Sequence, residues 1–280
     1  SVANNAALCI FPEILSNEFY LSFLNSVVFD YFVKVNTQSV NYLVGDVLNV
    51  PIIDFNDDDL ISCTKEAIRI AKLDWDSQET SLKFSKSEFI VNRGNTRLAD
   101  LSKQIFNQDK ELSFLLRNIE SNINRIFVEK FELKELLESE VSIEEISLIN
   151  NVSFDKGFKG DERLYLSNKF VKILSYFIGC AMGRYSLDIE GVLYAHSENV
   201  GFKELEAEGV YKTFPADDDG IIPLASEEWL FDDDATSRFK EFVKTIWGDN
   251  HLSENLEFVA ESLCLHALKP KKGESAMETI

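Results

Sequence analysis

The side chains that most often bind metal ions are few in this sequence, and one pair of them has close spacing. The chain has 3 His and 4 Cys in 280 residues, and Cys264 and His266 lie two positions apart. A zinc site takes four converging ligands, so a single pair does not predict one. The cysteines follow no disulfide framework, and Cys180, inside an apolar run, is interpreted as a buried free thiol.

Runs of acidic residues are the next candidates for chemistry, because carboxylates bind divalent cations when several of them converge. The first run precedes an apolar periodic stretch, which favours a helix cap at the positive end of the helix dipole. For the other two runs, solvated loops are the commoner structure. The three runs are Asp57–Asp59, Asp217–Asp219 and Asp232–Asp234.

Other catalytic motifs are incomplete or absent. Glu132-Leu-Lys134 has the Glu-x-Lys spacing of some nucleases, but it ends a charged helix and is expected to be coincidental. The sequence contains no P-loop and no Gly-x-Ser-x-Gly nucleophile elbow. We therefore predict no catalytic residue and no metal site in this chain.

One polar segment carries residues that suit contact with nucleic acid. Lysine and arginine neutralise phosphates, and asparagine side chains donate and accept hydrogen bonds with bases or phosphates. The alternative is an ordinary solvated loop, and the residues alone leave both open. The candidate DNA-binding residues are Lys83, Lys86, Asn92, Arg93, Asn95 and Arg97.

The net charge opposes nucleic-acid binding by the chain as a whole. It is −20 at pH 7, and an acidic protein repels phosphate at long range. The charge is uneven, however, because eleven acids and one base lie between Glu204 and Asp234. A local basic face elsewhere remains compatible with the composition.

Composition and hydrophobic periodicity predict a mainly α protein, formally α+β, with a few short strands. The 5 Pro and 12 Gly are few, and 45% of the residues are hydrophobic, enough for a sizeable core. Short extended pieces are expected at 8–11 and at 41–52, the latter with a turn at Gly45-Asp46. No stretch of 18 apolar residues or signal peptide is found, and the chain is expected to be cytoplasmic. Helices are predicted over 18–35, from Leu60, and over 98–126, 142–148, 168–185, 233–247 and 253–265.

The longest helix has a heptad-like seam. Apolar residues recur three and four apart from Leu98 to Ile126, with Gln108 and Asn122 as the polar members. Such a seam fits either a coiled coil or an amphipathic helix that packs on its own chain. We expect three parts: 1–53, the end of a target-recognition-like domain; 54–150, a connector containing this helix; and 151–280, an acidic helical domain.

Several segments, in order along the chain, resemble one protein family, the phage-exclusion (BREX, PglX-type) adenine-specific DNA methyltransferases. Two early segments are similar to the end of a target-recognition domain, two to the connecting helical region, and the rest to a C-terminal region. They are Ser22–Phe32 and Val44–Ile52, then Ala71–Ser81 and Asn124–Phe127, then Ile178–Asp188, Asp219–Pro223, Arg238–Phe242, Glu254–Ala260 and Lys272–Ser275.

This resemblance implies a parent enzyme that transfers a methyl group from S-adenosylmethionine to N6 of adenine in a phage-defence system. Such enzymes need a Gly-rich turn for the cofactor and an Asn/Asp-Pro-Pro-aromatic segment for the flipped base. The sequence has no Gly-x-Gly and no adjacent prolines. No catalytic residue is therefore carried over, no cofactor is expected in this segment, and the missing motifs are expected upstream of Ser1.

The resemblance implies DNA and other defence proteins as partners, and no membrane. The leading hypothesis is a DNA-recognition and scaffolding segment of the methyltransferase. The alternative is an acidic interaction or DNA-mimic module that uses residues 204–234 and the heptad helix to dock other defence proteins.

Overall fold

The computed structural model describes most of the chain and is helical throughout that part. The described residues are 11, 14–37, 44–90, 94–194, 201–224, 233–264, 269 and 271–276. They form no strand, which confirms the prediction of a mainly α protein; the short strands predicted beside the helices are not seen there. Short 3-10 turns occur at Glu88–Ile90 and Ile143–Glu145. The α-helices of the described residues are α1 (Asn17–Leu24), α2 (Val27–Asn36), α3 (Val44–Leu48), α4 (Asp58–Asp76), α5 (Leu98–Lys130), α6 (Glu162–Ala181), α7 (Phe202–Ala207), α8 (Ala235–Trp247) and α9 (Leu252–Cys264).

Two predictions about the first part of the chain are wrong. The single helix expected over 18–35 is two helices, because the Ser26 hydroxyl accepts the Phe29 N–H at 3.3 Å and starts a second helix. The extended piece and turn expected around Gly45 are the short helix α3. The strand expected at 8–11 lies outside the described residues except for Phe11.

The chain divides into two compact units, each with its own hydrophobic core. Unit 1 consists of Ser1–Lys72 and Glu111–Leu148, and unit 2 of Leu73–Lys110 and Ile149–Ile280. The three-part division at residues 53 and 150 stays a prediction.

Phenylalanines dominate the core of unit 1. Phe23 is stacked on Phe131 with ring centroids 5.8 Å apart, and Phe127 packs on Phe19 at 5.7 Å. Asn124 of α5 is buried and accepts the Val27 N–H at 3.0 Å, which satisfies a free donor at the start of α2. The helices of unit 1 are therefore held by aromatic packing and by neutral side-chain hydrogen bonds.

Helices α6, α8 and α9 form the core of unit 2, together with the first turns of α5. Phe177 lies 5.3 Å from Phe242 between ring centroids, and Trp247 is fully buried at the end of α8. Asp234 starts α8 by accepting the backbone N–H groups of Thr236 and Ser237.

The seam of α5 packs on its own chain. Leu98, Leu101 and Ile105 lie in the core of unit 2, and Ile119 and Ile126 lie in the core of unit 1. The polar member Asn122 donates to Cys63 Sγ at 3.3 Å. Of the two interpretations of the heptad pattern, the described contacts match the amphipathic helix.

Candidate nucleic-acid interface

The segment with the predicted DNA-binding residues lies in unit 2, and apolar side chains hold its first half in place. Phe84, Phe89 and Ile90 are buried in the core. The indole N–H of Trp247 donates to the Phe89 carbonyl at 3.2 Å, so the ring that ends α8 also fixes the segment's backbone. The residues between these anchors are therefore presented by a rigid base.

The second half of the segment is held by backbone and amide hydrogen bonds. The N–H groups of Gly94 and Thr96 donate to the carbonyls of Ile246 and Trp247 at 2.8 and 3.1 Å. Asn255, which is buried, donates to the Thr96 carbonyl at 2.9 Å and accepts the Leu98 N–H at 2.8 Å. One amide side chain thus joins the end of the segment to the start of α5.

Close packing at the end of α8 supports the same conclusion. Gly248 has φ of +81°, and a Cβ there would lie 2.2 Å from Asn95 Oδ1. The left-handed backbone favours glycine, and the space beside it is filled by the segment.

The structure places the six predicted residues differently. Lys83, Asn95 and Arg97 are exposed, whereas Asn92 and Arg93 lie outside the described residues. Lys86 Nζ lies 2.6 Å from Glu190 Oε1, and Arg97 Nε lies 3.3 Å from Glu254 Oε2. The assignment of these residues to DNA contact stays a prediction.

The two ion pairs leave both cations accessible to another anion. The side chains of Lys86 and Arg97 are 35% and 53% exposed. Exposed pairs of this kind contribute only about 0–1 kcal/mol. A phosphate could therefore replace either carboxylate at little cost in folding free energy.

Sequence reasoning missed a buried ionic cluster next to this segment. Lys169 of α6 is 2% exposed, and its Nζ lies 2.5 Å from Glu88 Oε1 and 2.7 Å from Asp109 Oδ2. The Tyr165 hydroxyl donates to the same Asp109 oxygen at 2.6 Å. The cluster joins the 3-10 turn of the segment to α5 and α6.

Burial and charge perturb the acids and bases of this cluster. Burial alone would lower the pKa of Lys169, but the carboxylates of Glu88 and Asp109 outweigh it and raise the pKa. One turn on, burial and then repulsion from Lys169 lower the pKa of Lys172 to about 8. Burial also raises the pKa of Asp74, against hydrogen bonds from the N–H groups of Ile149 and Asn150.

A cavity of about 280 Å³ opens beside the cluster. Phe84, Phe89 and Tyr176 supply aromatic surface, and Lys169 and Lys172 lie at its wall. The sequence does contain a sign of this site. Lys169 lies four residues after Tyr165 and four before Ile173, both buried, so a lysine occupies the apolar face of α6.

The aspartate runs have local structural roles where they are described. Asp57 accepts the Leu60 N–H at 2.9 Å, which confirms the predicted cap of α4. Asp217 accepts backbone N–H groups from Gly220 and Ile221 at 2.8 and 3.1 Å. Within the described part of the chain, no three His, Cys, Asp or Glu residues are placed to hold a metal ion.

Two further candidates from the sequence are also located. Cys180 is a buried free thiol, as predicted. His266 lies outside the described residues, so the Cys264–His266 pair is not observed. After α5 ends, Lys134 forms an ion pair with Glu129 at 3.0 Å on the surface.

The Gly-Arg-Tyr-Ser-Leu-Asp block ends α6 and fixes the chain that follows. The N–H groups of Arg184 and Tyr185 donate to the Gly179 carbonyl at 2.8 and 3.1 Å. The space beside Gly179 is filled by the Tyr185 ring, not by another helix as predicted. Asp188, expected to pair with Arg184, accepts the Thr213 N–H at 2.8 Å instead.

None of the described helices is both long enough and apolar enough to cross a membrane.

Comparison with known proteins identifies two relatives, and no family model matches the chain. The chain is 47% identical over 280 residues to the adenine-specific methyltransferase BrxX of Escherichia coli O9:H4 (strain HS), with 99% of the chain and 23% of BrxX aligned. It is 30% identical over 267 residues to the adenine-specific methyltransferase PglX of Lacticaseibacillus casei (strain Zhang), with 94% of the chain and 20% of PglX aligned. The chain thus spans about a fifth to a quarter of the curated relatives it matches, and the resemblance drawn from the sequence is confirmed.

Proposed function

We propose that this chain, a homologue of one segment of the BREX-type adenine-specific methyltransferases BrxX and PglX, is a DNA-recognition and scaffolding part of such an enzyme. The whole protein would transfer a methyl group to N6 of adenine in a phage-defence system. The similarity over 99% of the chain to BrxX carries the proposal.

The geometry of the segment 83–97 supports the recognition role. Its exposed cations and amide stand on a backbone held by Trp247, Asn255 and the Lys169 cluster. Rigid presentation matters because phosphate contacts fix the register of a protein on DNA only when the side chains have fixed positions. Lys83, Lys86 and Arg97 would contact phosphates, and Asn95 a phosphate or a base edge.

The two units with separate cores support the scaffolding role. One continuous helix, α5, supplies residues to both units, with Leu98–Lys110 in unit 2 and Glu111–Lys130 in unit 1. A shared helix links the two cores without a flexible loop at that point. Other defence proteins are the proposed partners of this scaffold.

S-adenosylmethionine would supply the methyl group in the whole enzyme. Doubly wound folds hold nucleotide-like cofactors with a strand, a glycine-rich turn and a helix N-terminus. The described residues do not have this arrangement, so no contact with the cofactor is assigned to them.

Binding of the chain to duplex DNA tests the recognition role. We expect an affinity that falls as salt increases, because each phosphate contact releases counterions. Replacing Lys83 and Arg97 with Ala should weaken binding and reduce the slope of log K against log salt by about 0.9 for each lost contact.

The control is Lys110→Ala, an exposed lysine of α5 outside the segment. It should leave both affinity and salt slope unchanged. The recognition role would be rejected if the wild-type chain fails to bind duplex DNA at low salt, or if the double variant binds like the control.

A further inference from the structure

We propose that residues 44–53 of unit 1 are a docking surface for a part of the methyltransferase polypeptide outside these 280 residues. The inference rests on the proposed function, because it requires the chain to be one segment of such an enzyme. It assigns a role to the Val44–Ile52 segment, which the DNA-recognition hypothesis leaves unused.

The surface consists of four apolar side chains that stand in solvent. Val44 is 56% exposed, Leu48 77%, Ile52 47% and Ile53 39%. Val44 and Leu48 are four residues apart and share one face of α3. Single exposed apolar residues are normal, but a group within ten residues indicates an interaction site.

The opposite side of the same segment is also apolar. Val50 is buried in the core of unit 1, and Val47 packs against that core. A helical segment that is apolar on both sides is typical of a fully buried one. In unit 1, however, only one of these sides is covered.

Gly45 lacks an explanation within unit 1. It lies inside α3 without a positive φ, and a Cβ there would meet no atom within 4 Å. Glycine inside a helix is unfavourable relative to alanine, so unit 1 gains nothing from it. A bare backbone beside Val44 and Leu48 would let another chain segment approach closely.

The rest of the enzyme is the occupant that the observations favour. The chain aligns with 23% of BrxX, so about three quarters of that relative lies outside the match. A segment of the same polypeptide is present at high effective concentration. DNA does not suit the surface, because residues 44–53 contain no lysine or arginine and include Asp46.

Hydrogen exchange of the 280-residue chain and of the full-length enzyme tests the inference. The amides of residues 44–53 should exchange more slowly in the full-length enzyme than in the chain alone. Equal exchange in the two proteins would overturn the proposal.

A triple variant, Val44→Ser, Leu48→Ser and Ile52→Ser, gives a second readout. It should leave the Tm of the 280-residue chain nearly unchanged, because the three side chains are already exposed, and should lower the Tm of the full-length enzyme. Leu136→Ser, 66% exposed in the same unit, is the matched control and should change neither Tm. An equal shift in both proteins would overturn the proposal.

Two further outcomes would point elsewhere. A concentration-dependent dimer of the 280-residue chain that the triple variant abolishes would assign the surface to a second copy and overturn the inference. A full-length enzyme that methylates adenine but shows no protection of residues 44–53 sinks this inference and leaves the proposed function standing. Lack of adenine methylation would instead reject the proposed function.

Discussion

Unit 1 and unit 2 bury polar groups in chemically different ways. Unit 1 buries neutral groups, such as Asn124, whose amide accepts the Val27 N–H, and Ser121, whose hydroxyl accepts the Val141 N–H at 3.0 Å. Unit 2 buries a charge, Lys169, between two carboxylates. A neutral group removed from a core leaves one donor or acceptor unpaired, whereas a removed charge leaves its counter-charges in a medium of low polarity. Unit 2 should therefore be far more sensitive to a single polar substitution.

The largest effect is expected at Lys169. Lys169→Met keeps the length of the side chain but leaves Glu88 and Asp109 without their buried cation, and should lower the free energy of unfolding of unit 2 by about 3–5 kcal/mol. Denaturant titration with a probe in unit 2, such as Trp247 fluorescence, measures it. Lys172→Met, one turn away, is the control and should change stability little, because the Lys172 cation is disfavoured where it lies. A loss below about 1 kcal/mol at Lys169 would show that the cluster is not a buried charge network.

A smaller effect is expected at Asn124 in unit 1. Asn124→Ala leaves the Val27 N–H without its side-chain acceptor and should cost about 1–3 kcal/mol. Asn118→Ala, an exposed asparagine of the same helix, should have almost no effect. The contrast between the units would fail if Asn124→Ala cost as much as Lys169→Met.

Unit 1 also contains a carboxyl group that makes stability depend on pH. Burial, and then repulsion from Glu145, raise the pKa of Glu120 to about 7. Its folded-state pKa lies above its unfolded value, so its contribution to stability is present below pH 4.5 and is lost as pH rises through about 7. Glu120→Gln should therefore stabilise unit 1 by roughly 1–2 kcal/mol at pH 8 and change little at pH 4.5.

Urea titrations of both proteins across this pH range measure that difference. Glu111→Gln, an exposed glutamate on the same helix, provides the control and should show no such pH dependence. A difference between Glu120→Gln and wild type that stays constant from pH 4.5 to 8 would contradict the assignment.

The smallest effect on stability is expected at the exposed ion pair of unit 2. Lys86→Ala removes the contact with Glu190 and should cost less than about 1 kcal/mol, because both groups are accessible to water. The same substitution should weaken duplex binding, so stability and DNA affinity separate at this residue. A large loss of stability would instead make Lys86 part of the scaffold.

Local patterns predicted the helices well. The seam from Leu98 to Ile126 lies within α5, and the aspartates before α4 and α8 cap those helices as their positions suggest. These features depend on residues three or four apart, which is the range over which helix geometry acts. The break at Ser26 and the short helix at Gly45 were missed because serine caps and glycine turns have more than one local solution.

Contacts between distant residues could not be predicted in the same way. Lys169 meets partners 81 and 60 residues away in sequence, and Lys86 meets Glu190 across 104 residues. Whether a cation is buried or exposed depends on these partners, and no local pattern contains them. The candidate DNA-binding residues were therefore identified by type, whereas their ion pairs and anchors came only from the fold.

Steady-state methylation of duplex DNA by the full-length enzyme tests the central claim most directly. With Lys83→Ala and Arg97→Ala together, we predict a raised KM for DNA and an unchanged kcat, because the two cations are proposed to bind DNA without taking part in methyl transfer. An unchanged KM for DNA, beside a Lys110→Ala control with wild-type kinetics, would contradict a role of this segment in DNA recognition.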